Sequence, residues 1–175
     1  MFKPFLTLVL AATALSAAAH PHAHTHGLMA LDVAVDARTI TLAIAAPLDS
    51  FLGFERAPRN AAERQQVADM VARLKAADKL FQPDAAAACQ LATVDLESPA
   101  LGLGVAHGHG EKDEHADIAV DIVFTCAKTA AARFIDVKLF DAYPRLRSID
   151  TQVAAPQGQF KRSLRPGAAR LGLTR

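Results

Sequence analysis

No histidine in this 175-residue chain lies outside two short stretches: all seven fall between His20 and His26 or between His107 and His115. Neither sign of charge is in excess, with 19 Lys and Arg against 18 Asp and Glu. A nucleic-acid-binding domain would want a basic face, so that class is set aside. Beyond the N-terminal segment, no apolar run reaches the roughly 20 residues that cross a bilayer. There is no His-Glu-x-x-His and no Gly-x-Ser-x-Gly, and neither Cys89 nor Cys126 has a base nearby in sequence. The chain thus lacks the common signatures of zinc proteases, serine hydrolases and thiol enzymes, and reads as a non-enzyme. Met29 and Met70 are the only methionines past the N-terminal segment, without the Met-rich setting expected of a Cu(I) handler. No internal repeat is evident.

What the chain does have is clustered imidazole. Neutral imidazole binds zinc, copper and nickel, and about four ligands complete a zinc site. In an extended chain His20, His22, His24 and His26 project to one side, because successive side chains alternate. His107, His109, Glu111, Asp113 and His115 share one parity in the same way wherever their loop is extended, and Glu114 lies between the last two. These ten residues are the candidate metal ligands. A solvated tail or loop would explain one such tract on composition alone. Two tracts holding every histidine favour a metal, with Zn2+ the expected ion. Copper or nickel is the alternative, since Cu(II) outcompetes zinc on equal ligands. A metal-dependent enzyme is a more remote one, because ligands on Gly-rich loops preorganise poorly for chemistry. An interaction module with incidental histidines is the third class. Ordering a free chain end costs about 1–2 kcal/mol per backbone residue. The loop, assisted by Glu111, Asp113 or Glu114, is therefore expected to be the tighter site and the tail a weaker collector.

Residues 1–19 read as a secretory signal peptide. Lys3 supplies the one charge, Phe5 to Leu15 the apolar region, and Ala17-Ala18-Ala19 a small-residue cleavage site. Cleavage there leaves 156 residues, enough for one domain with a sizeable core. A new N-terminus at His20 would not form an amine-and-amide copper site, because Pro21 has no N–H to lose. The expected layout is a His-rich tail over 20–27 and a single domain over 28–175, with a His-rich loop at 98–116. In an exported protein, two cysteines suggest a Cys89–Cys126 disulfide. A pair of soft metal ligands is the poorer alternative, with no other Cys or His near either.

Met29, Leu31, Val33 and Val35 alternate with smaller or polar residues, then Ile40, Leu42 and Ile44 do the same, so a hairpin is expected with its turn at Ala37-Arg38. The four tail histidines share parity with Asp32 and Asp36, which could let an ordered carboxylate join a tail-borne metal. Pro47 should end the pairing, and Phe51, Leu52 and Phe54 should plug the core. Asn60 and Glu63 form an N-cap and capping-box pair, followed by Val67, Met70, Val71 and Leu74 at helical spacing. Cys89 to Glu97 and His115 to Cys126 read as strands. If Cys89 faces Cys126, Leu91 faces Phe124 and Thr93 faces Ile122 unless a bulge intervenes. Residues 134–140, 148–153 and 159–164 suggest a further meander, with a short strand at Leu171 and Leu173. The sum is an α+β fold, mainly an antiparallel sheet of about seven strands, with one or two helices.

Four segments carry a family likeness: the His-rich start, Pro47-Leu48 with Phe51-Leu52-Gly53-Phe54-Glu55-Arg56-Ala57-Pro58, Leu80-Phe81 ahead of Cys89, and Leu139-Phe140-Asp141-Ala142-Tyr143-Pro144. Together they resemble the ZrgA family of periplasmic bacterial proteins, over nearly the whole chain after residue 19. Leu52-Gly53-Phe54-Glu55 is the most specific part. The resemblance implies zinc binding in the periplasm and support of zinc uptake through a partner ABC-type importer or that importer's own binding protein. Because imidazole must be neutral to ligate and its ordinary pKa is about 6.5, zinc affinity should fall steeply from about pH 7 to 5. Competition titration across that range checks it; a flat profile would mean carboxylate or thiolate ligands.

Overall fold

The alternation in the first third builds the centre of the molecule. β1 (Leu28–Val35) buries Met29, Leu31 and Val33, and β2 (Thr39–Pro47) buries Ile40, Leu42 and Ile44. The two pair antiparallel, with Val33 opposite Leu42. The structure is a computed structural model that describes residues 26–104 and 116–174. On the far side of β2 runs β5 (Asp117–Cys126), paired from Thr39↔Thr125 to Pro47↔Asp117. β4 (Cys89–Glu97) completes that edge. On the other side, β1 pairs with β7 (Ser148–Ala155), which forms a hairpin with β8 (Gly158–Leu164). The order is β4-β5-β2-β1-β7-β8. A second, three-stranded sheet contains β3 (Phe81–Pro83), β6 (Phe134–Val137) and β9 (Arg170–Gly172).

Helices are short apart from α2 (Ala61–Lys75). The others are single turns: α1 (Asp49–Leu52), α3 (Ala77–Leu80) and α4 (Leu139–Ala142). From α2, Met70 and Leu74 enter the core, while Val67 and Val71 are half-buried. Its N-cap is as expected, since Asn60 Oδ1 accepts from the Glu63 N–H at 2.9 Å. The second half of the capping box is not formed. The Glu63 carboxylate instead takes a two-pronged bond from the Arg56 guanidinium (2.7 and 2.9 Å) and one from the Arg59 N–H (2.6 Å). A charge-assisted fork outcompetes a single neutral amide.

The α+β class holds, with nine strands among the described residues, two of them only three residues long. The sheets are mainly antiparallel as expected, with one parallel pair, β1 and β7. One expectation needs correction. Residues 134–140 are not one strand of a meander: after Val137 the Lys138 N–H bonds to the Leu80 carbonyl (2.7 Å) and the chain turns into α4. Adjacent Leu139 and Phe140 break the two-residue period that the earlier residues keep. Phe51 and Leu52 are half-buried and pack against the core from its margin, and Phe54 is half-buried.

Cys89 and Cys126 form a disulfide, and Leu91 faces Phe124 as expected. A bulge after Leu91 then moves Thr93 opposite Val123 instead of Ile122. The bridge spans 37 residues, so on the chain-entropy model it stabilises by roughly 4 kcal/mol. Replacing both cysteines with alanine should lower the unfolding free energy by about that amount in urea titrations; an unchanged midpoint would mean the bridge contributes nothing. The Arg56 fork first, and the Arg59 N–H second, pull the Glu63 carboxyl from 4.5 to about 2. A carboxyl depressed on folding stabilises above its unfolded value, and that stabilisation is lost as pH falls through the folded one. The stability difference between wild type and Glu63→Gln should be full at neutral pH and shrink between 4.5 and about 2. A difference independent of pH would assign Glu63 a packing role only.

Candidate metal centre

Three side chains from separate segments converge at one corner of the large sheet. His26 sits one residue before Gly27, whose carbonyl accepts from the N–H groups of Arg147 (2.8 Å) and Ser148 (3.1 Å) at the start of β7. Gly27 has φ +77°, and a Cβ there would lie 2.8 Å from the Arg145 carbonyl oxygen. Only glycine lets the chain pass so close, and that passage fixes where His26 begins. Asp49 opens α1 directly after β2. Gly53 ends that turn in the left-handed region, its N–H bonded to the Asp49 carbonyl at 2.9 Å. Glu55 follows two residues later. Its neighbour Arg56 is anchored on Glu63 at the first turn of α2 and stacks on Phe54 (4.8 Å to the ring centre). The segment that carries Glu55 is thereby tied to α2.

His26 Nδ1 lies 2.6 Å from Asp49 Oδ2 and 3.5 Å from Glu55 Oε1. One ligand atom from each residue falls within 4.8 Å of the others. An ionised carboxylate only accepts, so the Nδ1–H donates to Asp49. The side chain of His26 is 70% exposed, against 21% for Asp49 and 15% for Glu55, so the acids line the floor and the imidazole the rim. Ligands about 2.0–2.2 Å from zinc in a tetrahedron stand about 3.3–3.5 Å apart. The group matches that edge after side-chain shifts of about an ångström. Two carboxylates offset the charge of a divalent ion, and the metal would take the place of the Nδ1 proton. A nitrogen and two oxygens leave a fourth position for water or a further ligand.

Of the ten ligands expected from sequence, His26 alone is described. His20, His22 and His24 precede the described residues, and His107, His109, Glu111, Asp113, Glu114 and His115 fall within 105–115; all nine lie outside them. The leader expected over 1–19 lies outside them too. Among the described residues one His/Cys/Asp/Glu group could hold a metal, and it contains neither Asp32 nor Asp36. Sequence reasoning missed Asp49 and Glu55. Parity along a strand pointed to the acids of β1, whereas the carboxylates come from a turn 23 and 29 residues beyond His26 in the numbering. The one sequence signal was Glu55 itself, a lone acid inside the Leu52-Gly53-Phe54 stretch. Both cysteines are closed in the disulfide, so thiolate ligation at this centre is excluded.

The described flank of the second histidine cluster reaches the same corner. The carbonyl of Ala116, the residue after His115, accepts from the Leu48 N–H at 2.9 Å, and Leu48 directly precedes Asp49. A family model described as ZrgA family zinc uptake protein matches residues 23–173, a span that includes His26, Asp49, Glu55 and both cysteines. No curated protein matches the chain.

Proposed function

The chain belongs to the ZrgA family of zinc uptake proteins, and from that premise we propose that it captures Zn2+ in the periplasm and passes it to an ATP-driven importer or to that importer's binding protein. The observation that carries this reading is the His26–Asp49–Glu55 group. Its ligand types suit zinc, its charge offsets the ion, and three ligands among the described residues leave a fourth position that an exchanging ligand could take. A protein that hands its ion onward needs that exchange. A closed four-ligand site would hold the metal as structure.

We assign the histidine tracts a supporting part. Along the chain His24 is two residues from His26, and His115 is one residue from Ala116. Tethering and neighbouring acids both favour tight binding. The end of the tail has both, through Gly27 and through Asp49 and Glu55. The centre at His26 is therefore the nucleus, and His20, His22, His24, His107, His109, Glu111, Asp113, Glu114 and His115 are the reservoir from which its remaining ligands and further zinc ions are drawn. Among the described residues no helix is long and apolar enough to cross a membrane.

Isothermal calorimetry on the untagged protein tests the assignment. Asp49→Asn with Glu55→Gln should weaken the tightest zinc phase at least about tenfold, equivalent to about 1.4 kcal/mol. His107→Ala with His109→Ala and His115→Ala should mainly lower the stoichiometry. A tight phase that survives the carboxylate pair and vanishes with the loop histidines would move the nucleus to the loop.

A further inference from the structure

Beside the metal group lies a cavity of about 220 Å³ between α1, α2 and the turn that follows α4. Its apolar lining includes Phe51, Leu52 and Met70, with the Tyr143 ring edge-on to Phe51 at 4.7 Å. Two guanidinium groups open onto it, Arg73 and Arg145. Arg73 donates to the Ala142 carbonyl (2.8 Å) and lies over the Tyr143 ring (5.5 Å). Arg145 lies over Gly53, whose missing Cβ would be 2.9 Å from the guanidinium carbon. Neither meets a carboxylate among the described residues. Elsewhere the fold pairs such groups two-pronged, Arg56 with Glu63 and Arg170 with Asp136. The one acid lining the cavity, Asp69, already accepts from the Gln65 amide at 2.8 Å. Burial pushes the Tyr143 hydroxyl up to about 12, so the phenol stays neutral and offsets neither cation.

Two guanidinium groups against one carboxylate leave the cavity lining with a net positive charge that a bound anion would offset. A guanidinium fork fits a carboxylate, and an apolar wall beside it fits a short carbon chain. We propose that this cavity binds a small organic acid, with its carboxylate on Arg73 and Arg145 and its carbon chain against Phe51, Leu52 and Met70. The cavity also adjoins the metal. Ser50 is buried and lines it, and its hydroxyl faces Asp49 Oδ1 at 3.5 Å, while Asp49 Oδ2 meets His26. Neutralising Arg73 and Arg145 removes a positive field next to an incoming dication. Carboxylate and zinc should therefore raise each other's affinity by the same factor. That coupling rests on the metal reading above; the carboxylate site does not.

Butyrate is the probe, because a monocarboxylate chelates zinc weakly in solution, and butyramide is its neutral control. Titrated into the full metal-free protein and followed by NMR, butyrate should bind saturably at one to one, with butyramide at least about tenfold weaker. Arg145→Gln should weaken butyrate at least about tenfold; this side chain makes no hydrogen bond among the described residues, so the variant is expected to fold. Arg73→Lys keeps the charge, loses the fork and should weaken it several-fold. Zinc-loaded protein should bind butyrate more tightly than metal-free protein, which marks the free acid as the ligand and zinc as its modulator. Butyramide binding as well as butyrate, or affinity untouched by both substitutions, overturns the site. Binding seen only with zinc and indifferent to both arginines places the carboxylate on the metal and overturns it too. If zinc fails to bind while butyrate binds metal-free protein, the metal reading falls and the carboxylate site stands.

Discussion

The corner at Leu48 is the constraint on which the rest of the site depends. Its side chain is fully buried, its N–H bonds to the Ala116 carbonyl, and its own carbonyl accepts from Leu52 N–H at 2.8 Å. Losing either bond would strand a buried backbone group at a cost of about 1–3 kcal/mol. The β2–β5 ladder brings Ala116 into position, with Pro47 opposite Asp117 as its last rung. At the other end of β5 the disulfide and the Cys126 N–H bond to the Arg38 carbonyl (2.8 Å) hold the register. Asp49 inherits its position from this whole assembly, although the helix it opens is only a single turn.

Charge is distributed unevenly around that corner. The metal group carries an acidic surplus in Asp49 and Glu55, relieved in this state by the His26 N–H. The adjoining cavity carries a basic surplus in Arg73 and Arg145. Residues that differ by one position, Asp49 and Ser50, separate the two. The Arg56 and Arg170 forks, by contrast, are closed pairs that depress their acids, Glu63 and Asp136. Surplus charge of opposite sign on either side of one turn fits a surface that takes up ions, and the closed pairs fit a scaffold that holds it.

Much of the scaffold could be read from local pattern. Period-two burial marked β1, β2 and β5, and Asn60 marked the start of α2. The two cysteines implied their own bridge and, through it, the Leu91–Phe124 pairing. These features are short-range, or fixed by a covalent bond, so the residues that specify them are close along the chain or limited to one choice. The bulge after Leu91 shows in the sequence only as a change of parity, from Cys89 and Leu91 to Val94 and Leu96, and the paired strand fixes its place.

The metal centre was legible only in part, and for a related reason. By itself the sequence determined that histidine is confined to two tracts, that the cysteines pair and that the strands alternate. It carried the family likeness in Leu52-Gly53-Phe54-Glu55 as well. Tertiary structure alone decided that β1 lies parallel to β7, which ties Gly27 to Arg147 and Ser148, and that His26 faces Asp49 and Glu55 instead of the acids of β1. Burial periodicity says which face a residue takes. It does not say which distant segment will lie against that face, because that choice is made by the packing of the whole core.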